Sequence, residues 1–287
     1  DPVPGHLRCA RHSVFVRAVR TQRQRQRRPH SRCHDLEERW PIDPARQRRP
    51  GAPSRGLGEG MARHFAERGY KLALTARDSA SLEQLQAELS AQSPQVVIKS
   101  LDVSNSGTIA GLVRECAREL GGLDIVVVNA GVALAAAVGE GKFESMRQTI
   151  AVNLIGAMAT ADVAVELFRE QGRGQLVGIT SVAALRGFRR QGAYSASKAG
   201  FSKYLEALRC ETHGEAIIVT ELAPGYIDTD LNRSLASRPF LVSMQKGTRI
   251  MVELIEREVG FRYVPPWPWS LVSQVLKVLP ISVLRRM

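Results

Sequence analysis

The run "SVAALRGFRRQGAYSASKAG" holds three residues whose types and spacing can move a proton at an oxygen: Ser181, Tyr194 and Lys198. Ser181 ends an apolar, strand-like run. Tyr194 and Lys198 lie four apart in a helical pattern, so they share one helical face. An ammonium close to a phenol favours the phenolate and would lower the tyrosine pKa. A phenol tuned toward neutral pH can donate or accept a proton at a carbonyl or alcohol oxygen, and a serine hydroxyl alongside can bond the same oxygen. A tyrosine and a lysine so spaced are by themselves usually a surface pair, so the surrounding elements must carry the argument.

From Gly56 onward the pattern is regular. "LGEGMARHFAERG", "SASLEQLQAELSAQ" (79–92), "SGTIAGLVRECAREL" (106–120), a long region over roughly 143–170, "YSASKAGFSKYLEALRCETH" (194–213) and 237–258 have helical periodicity. "KLALTAR" (71–77), "QVVIKSLDV" (95–103), "LDIVVVNAG" (123–131), "GQLVGITS" (174–181) and "AIIVTELAPG" (216–225) read as strands, with "FRYV" as a last one. Alternation of this kind predicts an α/β fold, a doubly wound parallel sheet with helices on both faces. Ligands of such a sheet bind at the carboxyl ends of the strands. The loops to read are therefore those at 77–78, 102–105, 129–132, 181–184 and 224–230.

The chain has 287 residues and a formal net charge of +12, but the charge is uneven. Residues 1–50 carry 13 Arg, no Lys and 5 acids, whereas 51–287 has a net charge of only +4. Such an arm raises a nucleic-acid reading; against it, the arm shows no binding module, and no nucleic-acid partner is expected. His6, His12, His30 and His34 with Cys9 and Cys33 fit no standard zinc spacing, so no metal is expected. Cys116 and Cys210 fall in helical patterns. Four scattered cysteines suit a reducing, cytoplasmic compartment.

In order and spacing, "SRGLGEG", "LDV", "NAG", "VNLIGA", "ITSVAA", "YSASK" and "LAPGYIDT" resemble the short-chain dehydrogenase/reductase family over roughly 51–260. The resemblance implies a Rossmann-like fold and an oxidoreductase that interconverts a carbonyl and a secondary alcohol by hydride exchange with a nicotinamide. It implies Tyr194 as the acid or base. Lys198 would lower the phenol's pKa and bind the ribose, Ser181 would polarise the substrate oxygen, and Asn153 would hold a relay water. Cofactor contacts are implied for Gly51, Ser54, Arg55, Gly56, Leu57 and Gly58 in the glycine loop. Asp102 and Val103 would meet the adenine. Asn129, Ala130 and Gly131, with Tyr194 and Lys198, would line the nicotinamide side, and Pro224, Gly225, Ile227 and Thr229 would grip the carboxamide. Arg77 stands where an NAD enzyme tends to carry an acid; with Arg55 it suits a 2′-phosphate, hence NADP, with NADPH preferred over NADH. The family usually forms dimers or tetramers.

Two ends depart from that pattern. A buried first strand should precede the glycine loop, yet "PIDPARQRRP" (41–50) has three prolines and three arginines, which no central strand tolerates. The first strand therefore reads as missing or corrupted, and residues 1–50 as a disordered or mistranslated segment before a Rossmann domain at 51–262. That defect leaves open a non-catalytic, cofactor-deficient protein on the same fold. The apolar tail, 263–287, contains Trp267, Trp269 and a terminal Arg285–Arg286 pair, and is too short and broken to span a bilayer. It is open to four readings: a membrane-surface contact, a cap on a lipophilic substrate, a subunit contact or packing on its own core.

Overall fold

The structure is a computed structural model, and it describes residues 9–10, 13–17, 56–233, 235 and 237–286. Seven strands form one sheet. In spatial order they are β4 (Val96–Ser100), β3 (Lys71–Ala76), β2 (Ser13–Arg17), β5 (Ile125–Val128), β7 (Gly174–Ile179), β8 (Ile217–Pro224) and β9 (Phe261–Val264). A separate two-residue pair joins β1 (Cys9–Ala10) to β6 (Gly131–Val132).

The expected parallel sheet is present with one correction. Neighbours β3–β4, β5–β7, β7–β8 and β8–β9 are parallel, but β2 runs antiparallel to both β3 and β5. No strand leads directly into the glycine loop among the described residues. Its central slot is filled by "SVFVR" (13–17), from within the segment read as disordered or mistranslated. The alternation of this short run explains the fit. Val14 and Val16 enter the core on one face of the sheet and Phe15 enters the other, all three fully buried. A strand in a sheet centre must be apolar on both faces, and hydrogen-bond ladders form in either direction. Reversal puts Ser13 beside Thr75 at the carboxyl edge. Just upstream, Cys9–Ala10 pairs with Gly131–Val132. The other expectations for residues 1–50, including the His/Cys set, lie outside the described residues.

Helices α1 (Leu57–Glu67), α2 (Ser79–Leu89) and α7 (Met244–Glu256) cover one face, through Met61, Phe65, Leu82, Leu85, Met251 and Ile255. On the other face lie α3 (Ser106–Leu120), α5 (Gly156–Gln171) and α6 (Gly192–Glu211), through Ile109, Val113, Phe168 and Phe201. Sub-van-der-Waals limits fix some approaches. A Cβ on Gly60 would press on the Thr248 side chain, so α1 and α7 meet at that glycine.

The long helical region is interrupted: α4 (Phe143–Ile150) passes through a π-helical stretch, Ala151–Ile155, into α5. By length and composition Phe143–Gln171 would reach across a membrane, but it packs on the sheet as a core helix. The helix expected over 237–258 starts only at Met244, because Ser243 caps it by accepting from the Lys246 N–H, and Phe240 upstream has a positive φ. The tail forms α8 (Pro266–Val278) and α9 (Ile281–Leu284). Trp269 and Leu276 pack against Val182, Ala223 and Tyr263, so one face of the tail covers the protein's own core.

Candidate active site

The carboxyl edge of the sheet gathers the four residues expected to be catalytic. Ser181 follows β7, and its hydroxyl accepts from the Ala183 N–H, starting a short 3-10 turn (Val182–Ala184). Tyr194 lies in the first turn of α6, its phenol close enough to the Ser181 side chain for that hydroxyl to favour the phenolate. One turn later, Lys198 is buried, and its ammonium donates to the Ile179 carbonyl at 2.9 Å. Gly131 lies beside both that ammonium and the Asn153 amide oxygen, each 3.5 Å from where its Cβ would sit.

Asn153 occupies the π-helical stretch, a local distortion common at functional positions. Its Oδ1 accepts from the Val132 N–H (2.7 Å), and its Nδ2 donates to the Val132 carbonyl (2.9 Å) and Ser197 Oγ (3.2 Å). The side chain thus clamps the strand that carries Gly131.

The electrostatics correct one expectation. Burial pushes the Tyr194 phenol above its ordinary value, opposed by the Ser181 hydroxyl and reinforced by Tyr226. Lys198 is not among the influences on the phenol; its ammonium bonds the Ile179 carbonyl. Burial without a countercharge instead pulls Lys198 down to about 8.

The dinucleotide side is partly described. Gly51, Ser54 and Arg55 lie outside the described residues. Gly56 precedes α1, Leu57 opens it, and Gly58 is buried in its first turn. At the end of β3, Arg77 is exposed and lies near enough to Asp102 to favour its carboxylate. Burial alone would raise Asp102, but hydrogen bonds from the Ser104 hydroxyl and N–H, with Arg77, hold it below the usual carboxylate range. A Cβ on Gly156 would overlap the Val103 carbonyl, so that glycine lets the Asp102–Val103 loop approach the helix. Asn129 is buried and Ala130 partly so, beside Gly131. Beyond Pro224, Gly225 donates to the Val264 carbonyl. Tyr226 and Asp228 bracket Val242 by backbone bonds, while Ile227 and Thr229 are buried. These positions, at the carboxyl ends of the strands, supply backbone groups, glycines and one cation, which is the chemistry a nicotinamide dinucleotide takes.

Three contributors were not singled out from sequence as site residues. Ser197, within "YSASK", joins Asn153 to the Tyr194 carbonyl. The Trp269 indole lies where a Cβ on Gly225 would have to sit. Arg186 donates to the Leu276 and Lys277 carbonyls, tying the loop after Ser181 to the end of α8. Only the first belongs to a recognisable motif; the others depend on where the tail packs.

Comparison with known proteins agrees with this geometry. Residues 51–239 match the model of the short chain dehydrogenase family. An uncharacterized oxidoreductase of Mycobacterium tuberculosis is 40% identical over 236 residues, covering 81% of this chain and 93% of that protein. One from Myxococcus xanthus is 35% identical over 231 residues, covering 79% and 90%. The alcohol dehydrogenase of Thermococcus sibiricus, solved with 5-hydroxy-NADP, has a TM-score of 0.66 at 26% identity, covering 73% of this chain and 91% of that one. The chain belongs to the short-chain dehydrogenase/reductase family, and is an oxidoreductase of a family that uses NAD(P).

Proposed function

We propose that the chain is an NADPH-dependent reductase of lipophilic ketones or aldehydes, using Tyr194, Ser181, Lys198 and Asn153. The observation that carries the reading is the Ser181–Tyr194 pair at the strand edge, close enough for the serine to favour the phenolate, with Lys198 one helical turn below. A phenol held above its ordinary pKa stays protonated and is suited to donate to the oxygen of a carbonyl being reduced. Ser181 orients that oxygen. Lys198 places positive charge beneath the site, beside Gly131, and Asn153 holds Gly131–Val132 in place. When bound, the nicotinamide supplies or accepts the hydride. Gly56, Leu57 and Gly58, with Gly51, Ser54 and Arg55 upstream, would hold its pyrophosphate side. Asp102 and Val103 would meet the adenine; Asn129, Ala130, Gly131, Pro224, Gly225, Ile227 and Thr229 would meet the nicotinamide.

Arg77 supports NADP over NAD, since an exposed guanidinium at the end of β3 suits a 2′-phosphate. The 5-hydroxy-NADP in the Thermococcus sibiricus alcohol dehydrogenase structure agrees. A lipophilic substrate is supported by Tyr226, Phe240 and Trp269, which pack together beside Gly225. The non-catalytic alternative has less support, because all four chemistry-bearing side chains are present and β2 fills the sheet centre.

The test is titration with NADPH and NADH by nicotinamide fluorescence, then NADPH consumption across a panel of apolar ketones and aldehydes. Tighter NADPH binding with turnover is expected. Tighter NADH binding overturns the cofactor assignment; binding of neither nucleotide, with no turnover, favours the cofactor-deficient, non-catalytic reading.

A further inference from the structure

The inner face of α8 is accounted for by Trp269 and Leu276, but its outer face is not. Trp267 is 73% exposed, Val278 80% and Ile281 75%, with Leu271, Val275 and Val283 exposed alongside. Within the helix, Leu271, Val275 and Val278 follow helical spacing and form one stripe. A contiguous exposed apolar surface of this kind is uncommon on a lone soluble molecule and marks something that covers it.

The charge beside the stripe selects the occupant. No Asp or Glu follows Glu258 in the sequence, whereas Arg262, Lys277, Arg285 and Arg286 do. Lys277, Arg285 and Arg286 make no ion pair with any described residue. Arg186 adds a fourth cation at the end of α8, bonded there only to carbonyl oxygens. A second copy seated on this face would bring cations against cations, with no acid in α8 or α9 to answer them. A surface of anionic lipid headgroups answers both features: acyl chains for the stripe, phosphates for the cations.

We propose that α8 and α9 dock this protein peripherally on anionic lipid surfaces, lying in the interface plane without crossing it. Trp267, Leu271, Val275, Val278 and Ile281 enter the headgroup boundary, while Lys277, Arg285 and Arg286 stay at phosphate level. The docked face adjoins the candidate active site, because Phe240, half exposed, meets Trp269 edge-on and Trp269 covers Gly225. Docking would therefore set the apolar edge of the site against the phase in which lipophilic carbonyls dissolve. The inference does not depend on the oxidoreductase reading, and its test uses neither cofactor nor substrate.

The full chain is sedimented with vesicles of phosphatidylcholine alone and of phosphatidylcholine mixed with phosphatidylglycerol. Binding is expected only with the anionic lipid, falling as salt rises. R285Q/R286Q should weaken it about thirtyfold, since each cation near such a surface contributes on the order of a factor of five. L271E/V275E, at exposed positions where the thermal midpoint should not move, should weaken it at least about a hundredfold, since two carboxylates set against the anionic surface cost about a factor of five each and the lost apolar insertion as much again. A smaller loss with L271E/V275E would assign lipid binding to the arginine-rich residues 1–50 and overturn the proposal. No binding to anionic vesicles overturns it too. So does a dimer in solution that L271E/V275E converts to monomer, which would make the stripe a subunit contact.

Discussion

Replacing Lys198 with methionine should stabilise the protein near neutral pH while abolishing its chemistry. The lysine is buried, and among the described residues its ammonium has one hydrogen bond, to the Ile179 carbonyl, and no carboxylate answers its charge. Its pKa falls from an ordinary 10.5 to about 8. Keeping the ammonium charged at pH 7 therefore costs about 3 kcal/mol, at roughly 1.4 kcal/mol per tenfold change in proton affinity. Lys198→Met keeps most of the volume and removes that cost. It also strands the Ile179 carbonyl, which costs ~1–3 kcal/mol. The net expectation at pH 7 is a gain of about 1 kcal/mol. The sign with pH follows from linkage. A lysine with a depressed folded-state pKa penalises the native state fully below about 8, and the penalty disappears as pH rises from there toward 10.5. A neutral amine still donates to Ile179, so wild type should overtake the variant at alkaline pH. Urea unfolding of both proteins at pH 7, 8.5 and 10, followed by tryptophan fluorescence, measures the crossing. A variant clearly less stable than wild type at pH 7, or a difference that does not change with pH, would refute an ammonium held at a cost.

Other perturbations separate the remaining roles. Tyr194→Phe should lower carbonyl reduction by ~10²–10⁴-fold, the range for a lost general acid, with NADPH affinity unchanged in a fluorescence titration. Arg77→Glu should weaken NADPH by about tenfold to a hundredfold and leave or improve NADH, since each lost or reversed charge contact to a phosphate is worth ~1.5–3 kcal/mol; an unchanged ratio of the two dissociation constants would remove Arg77 from the phosphate site. Trp269→Phe deletes a buried N–H that has no partner among the described residues, so stability should hold within about 1 kcal/mol, whereas Trp269→Ala should cost about 3–5 kcal/mol by opening a cavity over Gly225. Thermal or chemical unfolding of the two variants decides between a packing role and a hydrogen-bonding one.

What the sequence could and could not disclose divides by the range of the interactions. Helices α3 and α6 and strands β3, β5, β7 and β8 were legible because an apolar period and a glycine or polar stop lie within each segment. Ser181, Tyr194 and Lys198 were legible because strand end and helix face follow from spacing, and the structure brings them together. The direction of the tyrosine shift was not. Spacing places an ammonium one turn below the phenol, but only three dimensions show it bonded to Ile179 and the phenol desolvated. Asn153 likewise appeared as a motif position, whereas its grip on Val132 depends on a π-helical stretch with no one-dimensional signature. The reversed β2 is the most instructive case. "SVFV" alternates as any buried strand would, but nothing local sets its direction or its partners. Those follow from an empty slot between β3 and β5 that needed apolar side chains on both faces, and that slot exists only once the other strands are assembled. By the same logic the tail's two faces could be read as apolar but not sorted. Packing Trp269 onto Gly225 defines the inner face, and thereby turns Trp267, Leu271 and Val275 outward.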